Sequence, residues 1–115
     1  MIHVITTTHG PVTPVGIEQA VETVPGIRQA AAVGVGPPGT QQIVVVAVPL
    51  VPPRRARLAP APLAPAVRAA VAVDIAAVLV VPRLPVDKRH NSKIDRTRVA
   101  AWAASVLAGG RMRRL

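Results

Sequence analysis

The segment that most constrains this chain is Gln42 to Val48, because its Ile43-Val44-Val45-Val46-Ala47-Val48 run is apolar at every position. β-branched residues favour a pleated backbone, and without alternation both faces of such a strand are apolar. It therefore belongs in the middle of a sheet. Ile27 to Val35 reads as its hairpin partner, joined through a connection of about six residues in which Gly36-Pro37-Pro38-Gly39 supplies the turn chemistry.

The flanking segments read as cover for that sheet. Ile2 to Thr8 has the β-branched content of a half-exposed strand, and His9-Gly10-Pro11 reads as the turn that ends it. A helix is predicted next, with Thr13 as its N-cap and Pro14 at its first position. Ile17, Ala20, Val21 and Val24 fall on its apolar face, Glu18 and Glu22 face outward, and Pro25-Gly26 stops it. Pro49 to Pro65 carries six prolines and three arginines in 17 residues and reads as an exposed loop. A short helix from about Pro65 to Val73 and a strand from Ile75 to Val81 follow, with Pro82 and Pro85 terminating the strand. The last helix is capped by Asp95, carries Val99, Trp102, Val106 and Leu107 on one face, and ends at Gly109-Gly110. The expected fold is α+β: a small three-stranded sheet flanked by helices, with an N-terminal strand or hairpin. The domain is expected over 1–108, with the Pro/Arg-rich loop 49–65 inside it and a basic tail over 109–115.

Length and composition narrow the function classes. A chain of 115 residues is one domain and buries roughly 65% of its unfolded surface, enough for a core without staples. It has no cysteine, which excludes disulfides, thiolate metal sites and a cysteine nucleophile. Its three histidines, His3, His9 and His90, are dispersed and give no metal-site spacing. The longest apolar runs are broken by proline or by Asp74, so no membrane span is expected. The N-terminus lacks the pattern of a secretory signal, and the expected location is cytoplasmic. A net charge of +9 raises the question of nucleic acid. However, twelve of the 14 cations are arginines scattered from Arg28 to Arg114, and the sole aromatic, Trp102, cannot form a stacking platform. This argues against nucleic acid as the main partner.

One segment concentrates polar chemistry. Leu84 to Arg98 packs Asp87, Lys88, Arg89, His90, Asn91, Ser92, Lys93 and Asp95 into the connection between a buried strand and a helix. A charged connection is by default a solvated loop. It is also where a rigid scaffold can present a mobile binding group, and Lys88, Arg89, Lys93 and Arg96 suit phosphate or carboxylate oxygens.

The order of these residues resembles the C-terminal signature of the acyl-adenylate-forming ligases, a superfamily that includes acyl-CoA synthetases, luciferases and peptide-synthetase adenylation domains. That signature is a Leu-Pro, a short polar stretch, Gly-Lys-Ile/Leu, then an acidic or Arg-rich helix start. Here it reads Leu84-Pro85, then Ser92-Lys93-Ile94-Asp95-Arg96. Further matches occur in order: Gly10, Val12, Pro14-Val15-Gly16-Ile17-Glu18, Val24-Pro25-Gly26-Ile27 and Ala31-Ala32-Val33-Gly34-Val35. The likeness runs from Ile2 to about Trp102. Arg89-His90-Asn91-Ser92-Lys93-Ile94 looks most like the branch of olefin-pathway β-lactone synthetases.

The resemblance implies that Lys93 is the adenylation lysine, with Arg89, His90, Asn91 and Ser92 forming a substrate- and phosphate-binding loop. It implies ATP and Mg2+ held by a large N-terminal adenylating domain, supplied in cis or in trans, and a fatty acyl or 3-hydroxy acid substrate. In the β-lactone branch the β-hydroxyl closes on its own acyl-adenylate. Ser92 stands where the family has glycine, and Gly16 replaces the first acid of the Pro-x-Glu helix start. The family's phosphate loop, its Tyr/Thr-Gly-Glu segment and its Gly-Arg hinge are absent from these 115 residues. The expectation is thus a C-terminal lid domain inactive alone. A stand-alone basic module for nucleic acid or an acidic partner, and a non-functional gene fragment, are the alternative readings.

Overall fold

The computed structural model describes residues 4–86, 93–110, 112 and 115. A short hairpin of β1 (Ile5–Thr7) and β2 (Gly10–Val12) precedes α1 (Pro14–Glu22), β3 (Ile27–Val35) and β4 (Gln42–Pro49). β5 (Arg57–Leu58), α2 (Leu63–Ala70), β6 (Ala77–Val80) and α3 (Arg96–Leu107) follow. The main sheet has the order β3-β4-β6-β5, with β4 parallel to β6 and the other two pairings antiparallel.

The apolar run in β4 is explained by what covers each face. Ile43, Val45 and Ala47 join Ile17, Val21 and Val67 in a core beneath α1 and α2. Val44, Val46 and Val48 point the other way, into a second core closed by Val99 and Ala103 of α3. Successive strand residues alternate faces, so a strand with helices on both sides needs an apolar residue everywhere. The sequence reading of this strand and of its β3 partner holds.

Other readings are refined. The expected N-terminal strand or hairpin is a hairpin: His9-Gly10-Pro11, read as the turn, leads into Gly10–Val12, a second strand in register with β1 that pairs Ile5 with Val12. The segment 49–65 is not loop throughout. Arg57 and Leu58 pair with Val80 and Leu79, which adds a fourth strand at the sheet edge, and α2 already begins at Leu63. A two-residue strand fixed by pairing from a neighbour leaves no periodic trace in sequence. Thr13 makes no side-chain capping bond. Asp95 does, accepting from the Arg98 amide at 3.1 Å. After α3, Gly109 adopts a φ of 92°, the left-handed conformation that commonly ends helices.

Glu18 contradicts its expected outward orientation. It is only 6% exposed and is the buried charged residue of the core. The helical spacing was read correctly, but β3 is an edge strand and α1 lies along that open edge. Its carboxylates satisfy amides that a further strand would otherwise have bonded.

Candidate functional site

The Lys93 segment is built on the end of β6. Val81 continues the strand with a bond from its amide to the Ala47 carbonyl. Leu84 is buried in the core under α3. Val86 and Ile94 then form an isolated antiparallel bridge, and the Asp95 amide donates to the Pro85 carbonyl at 2.9 Å. These contacts pinch together the ends of the stretch between residues 86 and 94. Lys93 sits at that neck, exposed to solvent, immediately before the cap and first turn of α3. Arg89, His90, Asn91 and Ser92 lie outside the described residues, as do Asp87 and Lys88.

Three residues beyond Lys93, Arg96 turns back onto Glu18. Its Nε donates to Glu18 Oε2 at 2.9 Å and its Nη2 to Glu18 Oε1 at 2.5 Å, a bidentate pair. Glu18 Oε2 also accepts from the Ala32 amide at 2.9 Å, and Glu22 accepts from the Ala30 amide at 3.1 Å. The Arg96 guanidinium is held above the ordinary arginine value. The main cause is its hydrogen bond to Glu18, which desolvation opposes and the Coulombic attraction of the same carboxylate reinforces. Sequence reasoning placed Arg96 near the start of the helix and Glu18 facing outward, and so missed that they meet. The only signal was an acid on α1 and an arginine at the start of α3, whose pairing becomes visible only once the β3 edge beside them is known.

Of the clefts formed by the described residues, three lie around this framework without Lys93 in their lining. One of about 230 Å³ runs between the hairpin and α3, past Ile5, Pro14, Gly34, Gln41, Arg96 and Thr97. One of about 450 Å³ lies beside His9, Gln41, Asp74 and Ala76, and one of about 480 Å³ beside Arg54, Arg55, Arg83 and Met112. Among the described residues no three His, Asp or Glu side chains converge as a metal site would require. No helix of the described residues is long and apolar enough to cross a membrane. Trp102 is half-buried and packs against the core beneath α3, as its place on the helix suggested.

Among the described residues the arrangement offers the exposed Lys93 beside the Val86–Ile94 bridge, backed by the Glu18–Arg96 ion pair.

The architecture, two helices on one face of a small mixed sheet and one on the other with a hairpin in front, is shared with about a fifth of each of several solved enzymes. MatB from Rhodopseudomonas palustris, 18% identical, superposes with a TM-score of 0.70 over 90% of this chain and 20% of its own. A Mycobacterium tuberculosis fatty acyl CoA synthetase does so with a TM-score of 0.65 and 16% identity, over 90% of this chain and 20% of its own. Sequence narrows the class. The chain is similar to the olefin β-lactone synthetases: that of Stenotrophomonas maltophilia is 38% identical over 108 residues, 90% of this chain and 19% of the relative. The chain thus spans about a fifth of the length of the curated relatives it matches. No family model matches it.

Proposed function

We propose that this chain is the C-terminal lid of an ATP-dependent, AMP-forming acid ligase of the β-lactone synthetase type, with Lys93 as its adenylation lysine. The domain spans 1–108 in this reading, and 109–115 is a basic tail. The observation that carries it is the 38% identity over nearly the whole chain, combined with the exposure of Lys93 at the neck of a loop. A large N-terminal domain, in cis or in trans, binds ATP with Mg2+ and a 3-hydroxy fatty acid. The solved MatB structures include one with ATP bound, which supports ATP use by proteins of this fold.

In the first step a carboxylate oxygen of the acid attacks the α-phosphorus of ATP. A new P–O bond forms, the bond to the bridging oxygen breaks, and pyrophosphate leaves. Two anions approach each other in that step, and an ammonium brought to their oxygens as charge develops lowers the barrier. In the second step the β-hydroxyl oxygen attacks the acyl carbon, loses its proton and expels AMP, closing the lactone ring. The lid can withdraw Lys93 between the two steps because the lysine stands on a loop rather than in the core. Arg89, His90, Asn91 and Ser92 complete the loop's contacts with phosphate or acid.

The test joins this chain to the N-terminal remainder of the Stenotrophomonas maltophilia enzyme, in one polypeptide or as two, and follows pyrophosphate release with a 3-hydroxy fatty acid. Lys93→Ala is expected to lower the rate by about 100-fold, the usual cost of one electrostatic contact to a transition state. Equal rates with Lys93 and with alanine would overturn the assignment of Lys93. No release above that of the large domain alone would overturn the lid reading.

A further inference from the structure

Glu18 does more than cover a sheet edge. Glu18 and Glu22 are four residues apart on α1 and each takes one edge amide of β3, yet only Glu18 is buried and only Glu18 holds a second partner. That partner, Arg96, lies three residues beyond Lys93 and 78 positions from Glu18 in sequence. A rigid path thus runs from the β3 backbone through the Glu18 carboxylate and the Arg96 guanidinium to the first turn of α3, and from there to the Val86–Ile94 neck that carries Lys93.

An ion pair is not the cheapest way to fasten this helix. Well-packed apolar side chains can hold such a junction as tightly or more so, since both charges must be desolvated. What a bidentate carboxylate–guanidinium contact adds is direction: two parallel bonds fix the orientation as well as the separation of the groups. Val99 and Ala103 already hold the body of α3 against the sheet. The pair is placed one helical turn earlier, where the remaining freedom is that of the helix start and of the loop neck.

We propose that Glu18 and Arg96 are positioning residues that set where the Lys93 ammonium stands relative to the reacting oxygens. The proposal rests on the adenylation-lysine reading of the previous subsection. A lysine stem is long and flexible, so its useful range is decided by the backbone from which it springs. If the neck is free to swing, the ammonium spends less of its time in the productive position, and misplacement of about 1 Å can cost on the order of 100-fold. The effect falls on turnover, since the substrates are held by the large domain.

The decisive experiment is a double-mutant cycle in the same joined enzyme. Glu18→Gln keeps the shape and an oxygen for the Ala32 amide but removes the charge, and Arg96→Lys keeps the charge but removes the fork. Each is expected to lower kcat for pyrophosphate release by about 10- to 100-fold while leaving KM for ATP and for the acid within about twofold. In a Lys93→Ala background the same substitutions should change the rate by less than about twofold, because a group acting through the lysine has nothing left to position. An unchanged kcat with Lys93 present, or an equal loss with Lys93 absent, overturns the proposal. Silence of Lys93→Ala itself would instead overturn the underlying reading.

A readout independent of activity uses the full chain alone. Amide exchange at Ile94, Asp95 and Arg96 should rise about tenfold in Glu18→Gln while the β4 amides keep their protection. Unchanged exchange at those three amides would show that the pair does not restrain the neck, and would overturn the proposal whatever the rates.

Discussion

The β1–β2 hairpin and the first turn of α3, which follows the neck that carries Lys93, both line the 230 Å³ cleft, and they are fastened to the same sheet by different chemistry. The hairpin is held by neutral groups. Gln41 Oε1 accepts from the Thr6 amide at 2.9 Å and from the Thr6 hydroxyl at 3.2 Å, the Gln41 amide donates to the Thr6 carbonyl, and the Gly39 amide donates to Thr6 Oγ1. The neck is closed by the Val86–Ile94 bridge and the Asp95-to-Pro85 backbone bond, and the helix start beyond it is held by one charged pair whose Arg96 side chain remains 19% exposed. The hairpin clasp is backed by shape, for Ile5 lies so close to Gly34 that a Cβ there would stand 2.8 Å from Ile5 Cγ2. One region is fixed by close packing and neutral hydrogen bonds, and the other gains direction from a charged fork, as the proposed aiming of Lys93 requires.

The largest effect on this contrast is expected from filling the close approach. Gly34→Val puts carbon where both Ile5 and the Gln41 side chain already stand, at 2.8 and 3.0 Å from the position of the new Cβ. Neither neighbour can retreat without breaking the clasp, so the hairpin should lift from the sheet at a cost of roughly 2–3 kcal/mol. Denaturant unfolding measures the loss, and exchange should rise at Thr6 and Gln41 while Asp95 keeps its protection. A loosened Asp95 would mean that hairpin and neck form one unit, and the contrast would fail.

Gln41→Ala should act in the same direction but less strongly. It removes an acceptor serving two partly buried donors, and the Thr6 amide can recruit water through the open cleft, so roughly 1–2 kcal/mol is expected. Because the bonds lost are neutral, the difference in melting temperature from wild type should not change with added salt. A marked dependence on salt would show that charge contributes to the clasp.

How much of this was legible beforehand differs between the two regions. β4 announced itself because a doubly covered strand forces an unbroken apolar run, and α3 because its cap, its stripe and its terminal glycines agree. The hairpin was half legible: β1 showed its β-branched residues, while Gly10-Pro11-Val12 carries turn residues and becomes a strand only by pairing with β1. Lys93 was singled out only by the order of residues around it, and it lies exposed beside the Val86–Ile94 bridge. Glu18 was misread because a helical projection assigns outward to any residue off the apolar stripe, and nothing local reveals that a sheet edge runs past that flank. Its partner is 78 positions away, a separation over which no periodicity carries information.

The smallest effect is expected from pH, and its sign follows from the arginine. The Arg96 value is raised in the folded chain, chiefly by the hydrogen bond to Glu18. A cation whose folded value is raised contributes stability that is fully present below its unfolded value and is lost only as pH climbs through the folded one. Both values lie above the biological range, so Arg96 should add no slope between about pH 6 and 9. The checking measurement is amide exchange at Asp95 across that window, corrected for the intrinsic rate. Constant protection is the expected result. Protection that falls toward the upper end would mean that a cation of lower value than arginine holds the neck, and the Glu18–Arg96 pair would lose its role as the device that aims Lys93.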